Sequence, residues 1–177
     1  MTLLTVWPDD QPGHVLLRTE DTGAIVAELG RVGAGFARFP VGEVGSEGDL
    51  SARYRGLVES RVGGSCSVGV VTGEPGLVER LGDGAEDRFF VRGAAVWYLH
   101  AGREVHAVLC EAGDVLTVPA GVRHWHDGGP GLVTVRVRRP GGAEARRSGV
   151  VRALAPGEFP GFEELVAERV GGSVLSG

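Results

Sequence analysis

The chain contains no lysine and no asparagine. The first absence excludes Schiff-base catalysis and the lysine of a phosphate-binding P-loop. The second removes a common oxyanion- and sugar-binding side chain. All 18 basic residues are therefore arginines. They are scattered, with Arg138-Arg139 and Arg146-Arg147 the densest groups, and the formal net charge is -5. Nucleic-acid binding needs a basic face first, so that class is set aside. Only two cysteines occur, Cys66 and Cys110, far apart and in no CxxC pattern. They read as buried thiols of a reducing compartment. No apolar run approaches the roughly 20 residues that span a bilayer. Met1 to Asp10 has neither a basic n-region nor an apolar h-region, so it does not read as a signal peptide. The expectation is a soluble, cytoplasmic protein with no membrane or nucleic-acid partner.

What is present suits one domain. The length is 177 residues and 42% are hydrophobic, enough for a sizeable core. Residues 1–45 read as mixed α/β, with short strands at Leu3–Trp7 and His14–Leu17. Ile25, Val26, Leu29 and Val32 share one face of a helix over Asp21–Gly33, with Gly33 as its C-cap. A second short helix is expected over Glu47–Val58, and Cys66–Val71 is β-rich. From Phe89 the pattern changes. Strand-like runs at Arg88–Val91, Ala95–His100, Glu104–Cys110, Val115–Val118, His124–His126 and Leu132–Val137 are separated by glycine-rich turns. Such spacing predicts an antiparallel sandwich or barrel. Phe159–Val166 reads as a short helix docked on it.

One segment carries chemical information. Gly113 to Val118 is a strand, Pro119-Ala-Gly121 a tight turn, and His124-Trp125-His126 opens a second strand. In a barrel, such a turn aims an imidazole inward. Strand alternation then places His126 inward with His124, and Arg88 and Phe90 inward with Glu86. Charged groups converging inside a barrel indicate a polar cavity, because burying them unpaired is costly. Taken singly, each has an ordinary structural explanation: Glu86–Arg88 as an ion pair, His126 as a histidine of the barrel mouth, Trp125 as core or interface packing. His100 and His106 are further histidines with no motif around them.

The motifs carry a resemblance. Glu86 followed by six residues and Gly93 matches the end of the first cupin motif. Gly113, Pro119, Gly121 and His124 match the second. Arg88 to Gly93, Val108 to Asp114, Val118 to Trp125 and Phe159 to Leu165 are similar to segments of the acireductone dioxygenase family. The likeness covers nearly the whole chain. It implies a mainly β cupin (a double-stranded β-helix, or jelly-roll barrel) with a few short N-terminal helices and one at the C-terminus. Residues 1–177 would form one domain: 1–70 an N-terminal decoration, 71–140 the barrel core, and 141–177 closing strands and the last helix. In that family three histidines and one glutamate hold iron(II) or nickel(II), and the first part of the site reads His-x-His-x-x-x-Glu-x-Arg-Phe-Phe. Glu86 and His124 match two ligands, and Arg88 matches the arginine near the substrate. Arg80 and Gly82 stand where the other two histidines belong.

This departure shapes the functional expectation. Losing two imidazoles should cost far more affinity than the roughly 10- to 100-fold of a lost outer-shell partner. The expectation is therefore a divergent cupin enzyme without a cofactor. It would act on a small oxygenated metabolite by acid–base chemistry such as isomerisation, cyclisation or dehydration, with specialised metabolism as its expected setting. Glu86, His124 and His126 are the catalytic candidates. Arg80, Arg88 and Phe90 are the substrate-binding candidates, the arginines as anion holders. One alternative is a metal-dependent dioxygenase that holds Fe(II) or Ni(II) with Glu86, His124 and His126, the composition of a two-His-one-carboxylate set. Another is a cupin that binds a small ligand without chemistry. Strand edges and Trp97 or Trp125 could support a dimer, and a monomer is equally compatible.

Overall fold

Alternating and continuous apolar runs in the second half of the chain demand two covered sheet faces, and the fold supplies them. The computed structural model describes residues 1–43, 45–62, 66–73, 76–82, 84–139 and 153–172. Its strands are β1 (Leu3–Pro8), β2 (Leu17–Thr19), β3 (Gly35–Arg38), β4 (Ser67–Thr72), β5 (Gly76–Leu81) and β6 (Ala85–Arg92). They continue with β7 (Ala94–Ala101), β8 (Glu104–Glu111), β9 (Asp114–Val118), β10 (Arg123–Gly128) and β11 (Val133–Arg139). The helices are α1 (Thr22–Arg31), α2 (Glu47–Val62) and α3 (Phe162–Gly172), with a 3-10 turn at Pro156–Glu158. Two antiparallel sheets result, ordered β2-β1-β8-β7-β10-β5 and β3-β9-β6-β11-β4. This is the expected mainly β, cupin-like fold.

Three apolar layers hold it together. Between the sheets, Val6, Trp97, Leu99 and Val108 of one meet Phe36, Phe90, Leu116 and Val118 of the other, with Ile25 and Leu29 of α1 packed on the same cluster. On the outer face of the six-stranded sheet, Trp7, Tyr98, Val105 and Trp125 are covered by Leu154, Phe159 and Leu165. On the outer face of the five-stranded sheet, Val133, Val135 and Val137 are covered by Leu50 and Tyr54 of α2. Trp97 and Trp125 are 2% and 1% exposed, so both are spent inside the chain and neither offers a dimer surface. Cys110 is buried as expected, and burial pushes its thiol pKa well up.

The helix expected over 21–33 is α1. Asp21 caps it by accepting the Ala24 N–H at 2.8 Å, and Gly33 follows its end at φ +75°. Other boundaries differ. The strand expected at His14–Leu17 lies three residues later, in β2, and the second helix runs on to Val62. β3 and β5 carry no clear alternation and were not foreseen. Leu77, Val78 and Leu81 of β5 are exposed on an edge strand, so burial leaves no pattern there to read. Of the closing strands expected in 141–177, residues 141–152 lie outside the described residues. The described part of that segment contains the 3-10 turn and α3. No described helix is long and apolar enough to cross a membrane.

α1 closes one end of the barrel through a polar contact. His106 is fully buried on the inward face of β8, and its Nε2 donates to Glu28 Oε1 at 3.1 Å. Its Nδ1 has no hydrogen-bond partner among the described residues. Burial lowers the His106 pKa, so the folded chain resists protonating it. A depressed folded-state pKa stabilises above the unfolded value of about 6.5 and is lost as pH falls below it. Unfolding in urea should therefore show a loss of stability between about pH 7 and about pH 5, and His106→Leu should shrink that loss. An unchanged pH dependence in the variant would remove His106 from this role.

Candidate active site

The open end of the barrel is built by four strands with their polar faces inward. On β6, Glu86 and Arg88 are 7% and 5% exposed, while Phe89 turns outward toward α2. On β10, Trp125 turns outward, which leaves His124 and His126 inward. β11 is in the same phase: Val133, Val135 and Val137 face α2, and Thr134, Arg136 and Arg138 face the interior. Arg80 of β5 pairs directly with His124 of β10. These side chains line a cavity of about 100 Å³ with Trp97 in its wall.

Glu86 and Arg88 form a buried ion pair through Glu86 Oε1 and an Arg88 terminal nitrogen. The other terminal nitrogen of Arg88 donates to Thr134 Oγ1 at 3.1 Å. Glu86 Oε2 lies 3.4 Å from Arg138 Nε. The Arg88 guanidinium carbon is 4.9 Å from the centroid of the Trp97 ring, a cation–π contact. Burial pulls the Arg88 pKa below its usual value, and Glu86 opposes that pull. Arg88 Nε and Trp97 Nε1 are buried without an acceptor among the described residues.

The two histidines are set differently. The turn at Pro119-Ala-Gly121 is tight, with Gly121 at φ +79°, and the Gly121 amide donates to the Gly82 carbonyl at 2.9 Å. His124 Nδ1 lies 3.1 Å from the Val122 carbonyl. Donation there fixes the tautomer and leaves the Nε2 lone pair for another partner. His126 stacks on Trp97, with ring centroids 4.3 Å apart and planes 7° apart. A Cβ on Gly76 would lie 2.4 Å from His126 Cε1, so only glycine at 76 leaves room for the ring.

Most of the expected site residues are brought together: Glu86, His124, His126, Arg80 and Arg88 all line the cavity. Phe90 is not among the lining residues. It lies in the core with its ring edge-on to Trp97 at 5.5 Å, because its strand position falls where the interior has become apolar. Arg136, Arg138 and Trp97 belong to the site and were missed. The signal was available in the alternation of Val133, Val135 and Val137 with Thr134, Arg136 and Arg138. His100 lies on the outer face of the six-stranded sheet, between Glu79 Oε1 at 2.6 Å and Asp9 Oδ2 at 3.3 Å, away from the cavity.

Comparison with known proteins adds the family. Residues 77–139 match the ARD/ARD' family. The chain is 38% identical to the acireductone dioxygenase of Saccharopolyspora erythraea, covering 96% of this chain and all of that one. It is 37% identical to the acireductone dioxygenase of Parvibaculum lavamentivorans, covering 77% of this chain and 85% of the relative. A solved acireductone dioxygenase from Bacillus anthracis, with a cadmium ion in its active centre, superposes with a TM-score of 0.60 at 16% identity. The alignment covers 81% of this chain and 95% of that one. These findings overturn the expectation of a cofactor-free enzyme: the relatives are dioxygenases by name, and the fold neighbour holds a metal ion in its active centre.

The side chains fit a divalent ion in kind and fall short in number. Glu86 offers a carboxylate and His124 its Nε2 in the same cavity, with His126 a second imidazole in its wall. Arg80 stands across from His124 in register. A Cβ on Gly82 would lie 3.3 Å from His124 Cε1, so the two substituted positions sit beside that ring. Among the described residues, the group of three potential ligands whose donor atoms all lie within 4.8 Å is elsewhere: Glu28, Glu104 and His106 at the closed end. Arg31 already pairs with both of those carboxylates.

Replacing Glu86 by Gln would leave the Arg88 guanidinium buried without its counter-charge. Denaturant unfolding should then show a loss of roughly 3–5 kcal/mol. The apolar double variant Glu86→Leu/Arg88→Met should recover most of it, since a well-packed apolar pair can replace a buried ion pair. A single-variant loss below about 1 kcal/mol would mean that the pair is solvated.

Proposed function

Because this chain belongs to the acireductone dioxygenase family, we propose that it is an acireductone-type dioxygenase acting on a small oxygenated metabolite with bound iron(II) or nickel(II). The observation that carries the reading is that Glu86 lines the same cavity as a His124 ring whose Nδ1 is anchored and whose Nε2 is left for a ligand. Glu86 and His124 would hold the ion, with His126 the third candidate donor. When bound, such an ion acts as a Lewis acid on substrate oxygens and mediates the reaction with dioxygen.

The chain's own groups do the rest. The Arg88 guanidinium, fixed by Glu86 and Thr134, supplies a rigid positive charge for an enediolate oxygen. Trp97 gives the substrate an apolar wall and limits water, which strengthens the charge interactions inside. The Val122 carbonyl, 3.1 Å from His124 Nδ1, orients the ring so that Nε2 is the nitrogen left to meet a ligand. The same reading takes residues 1–177 as one cupin domain.

Protein purified without chelator should contain close to one equivalent of a divalent transition metal and should consume oxygen when given an acireductone. Glu86→Ala and His124→Ala should each lower oxygen uptake by roughly 100-fold or more and reduce bound metal, since losing an outer-shell partner alone costs about 10- to 100-fold. Less than about a tenth of an equivalent of metal, with no oxygen uptake after reconstitution with Fe(II) or Ni(II), would overturn the reading.

A further inference from the structure

The cavity is lined by four guanidinium groups, Arg80, Arg88, Arg136 and Arg138, against the single carboxylate of Glu86. Glu86 can answer only part of that charge, and it is already engaged by Arg88 and Arg138. Arg80 and Arg136 have no hydrogen-bond or ion-pair partner among the described residues. They approach the cavity from opposite sheets, Arg80 from β5 and Arg136 from β11. Two more donors in the wall residues, Arg88 Nε and Trp97 Nε1, are buried without acceptors among the described residues. The site is thus rich in donors and positive charge and poor in acceptors. Like charges gathered in one cleft repel, which is tolerable when an anion enters between them. A single enediolate would meet Arg88 and leave Arg80 and Arg136 unanswered.

We propose that the substrate of this site carries a second oxyanion, a carboxylate or phosphate, held by Arg80 and Arg136 with Arg138 beside them. The inference rests on the dioxygenase reading for the first anionic centre, at Arg88, and adds the second from residues of this chain. Arginine suits the role because its planar fork gives two parallel bonds to a carboxylate or phosphate. Arg80 is then a specificity residue: where a neutral imidazole would stand, the chain has a fixed positive charge opposite His124.

The test is calorimetric titration of the full chain at low ionic strength with inorganic phosphate, malonate and acetate. Phosphate or malonate should bind, acetate at least about tenfold more weakly, and which of the two binds tighter identifies the oxyanion. Arg80→Gln and Arg136→Gln should each weaken that binding by roughly 10- to 100-fold, the value of one charge-assisted hydrogen bond. Arg103→Gln, on an exposed turn outside the cavity, should leave it unchanged. Binding of phosphate and malonate no tighter than acetate, or binding unaltered in both cavity variants, would overturn the proposal. Failure here with oxygen uptake on an acireductone intact removes the second anion and keeps the dioxygenase reading. Arg80-dependent anion binding without oxygen uptake does the reverse.

Discussion

A carboxylate and a guanidinium two residues apart on one strand, both inside a barrel, must answer each other or both become costly. Glu86 and Arg88 do so, and their pairing organises the open end. Arg88 spends its remaining terminal nitrogen on Thr134 of β11 and lays its face against Trp97 of β7. Glu86 spends its second oxygen on Arg138. Three strands from two sheets are thereby tied at one level of the barrel. Below that level the interior is apolar, with Phe90, Leu99, Leu116 and Val118 packed together and α1 closing the end. The polar cavity exists because the core stops at Arg88.

Much of this was legible from alternation. The phase of Glu86, Arg88 and Phe90 followed from period 2, and so did the phase of His124 and His126 around Trp125. β11 has the same signal, but period 2 does not say which of its faces is inward, and in a half-buried strand the polar set usually faces water. Here α2 covers the outer face, so Val133, Val135 and Val137 point out to the helix and the arginines point in. Phase alone cannot say which face is covered. Nor can it say how deep the cavity runs: Phe90 is in phase with the site residues and still belongs to the core. β5 was invisible for a different reason. As an edge strand with exposed leucines and valine it has no buried face to impose a pattern.

The absent histidines were legible as absences, and the structure places both positions beside His124. Arg80 pairs with His124, and Gly82 is held beside the same ring by the Gly121 amide. The backbone that would present a His-x-His pair is in place. The expectation that a broken motif means no cofactor treated the ligands as the whole of the site. The relatives and the fold neighbour weigh against that step, and the remaining donors, Glu86 and an oriented His124, are consistent with a weaker site of the same kind.

The location of the changes follows from the sheet order. β6 and β10 lie inside their sheets, paired on both sides, so Glu86 and His124 are fixed by neighbours on each flank. Among the described residues, β5 lies at the edge of the six-stranded sheet and pairs with β10 alone. A substitution there disturbs one ladder and little packing, as the exposure of Arg80 and Leu81 shows. The one tight spot on β5 is Gly76, where the His126 ring takes the space of a side chain. The barrel can thus alter charge and ligand number from its edge strand while the central strands keep the ion pair and the oriented imidazole. An arginine in place of an imidazole at 80 adds one positive charge opposite His124, and glycine at 82 spares that ring a Cβ that would lie 3.3 Å from its Cε1. The added charge favours a more acidic guest in the same cavity, without asking the fold to move.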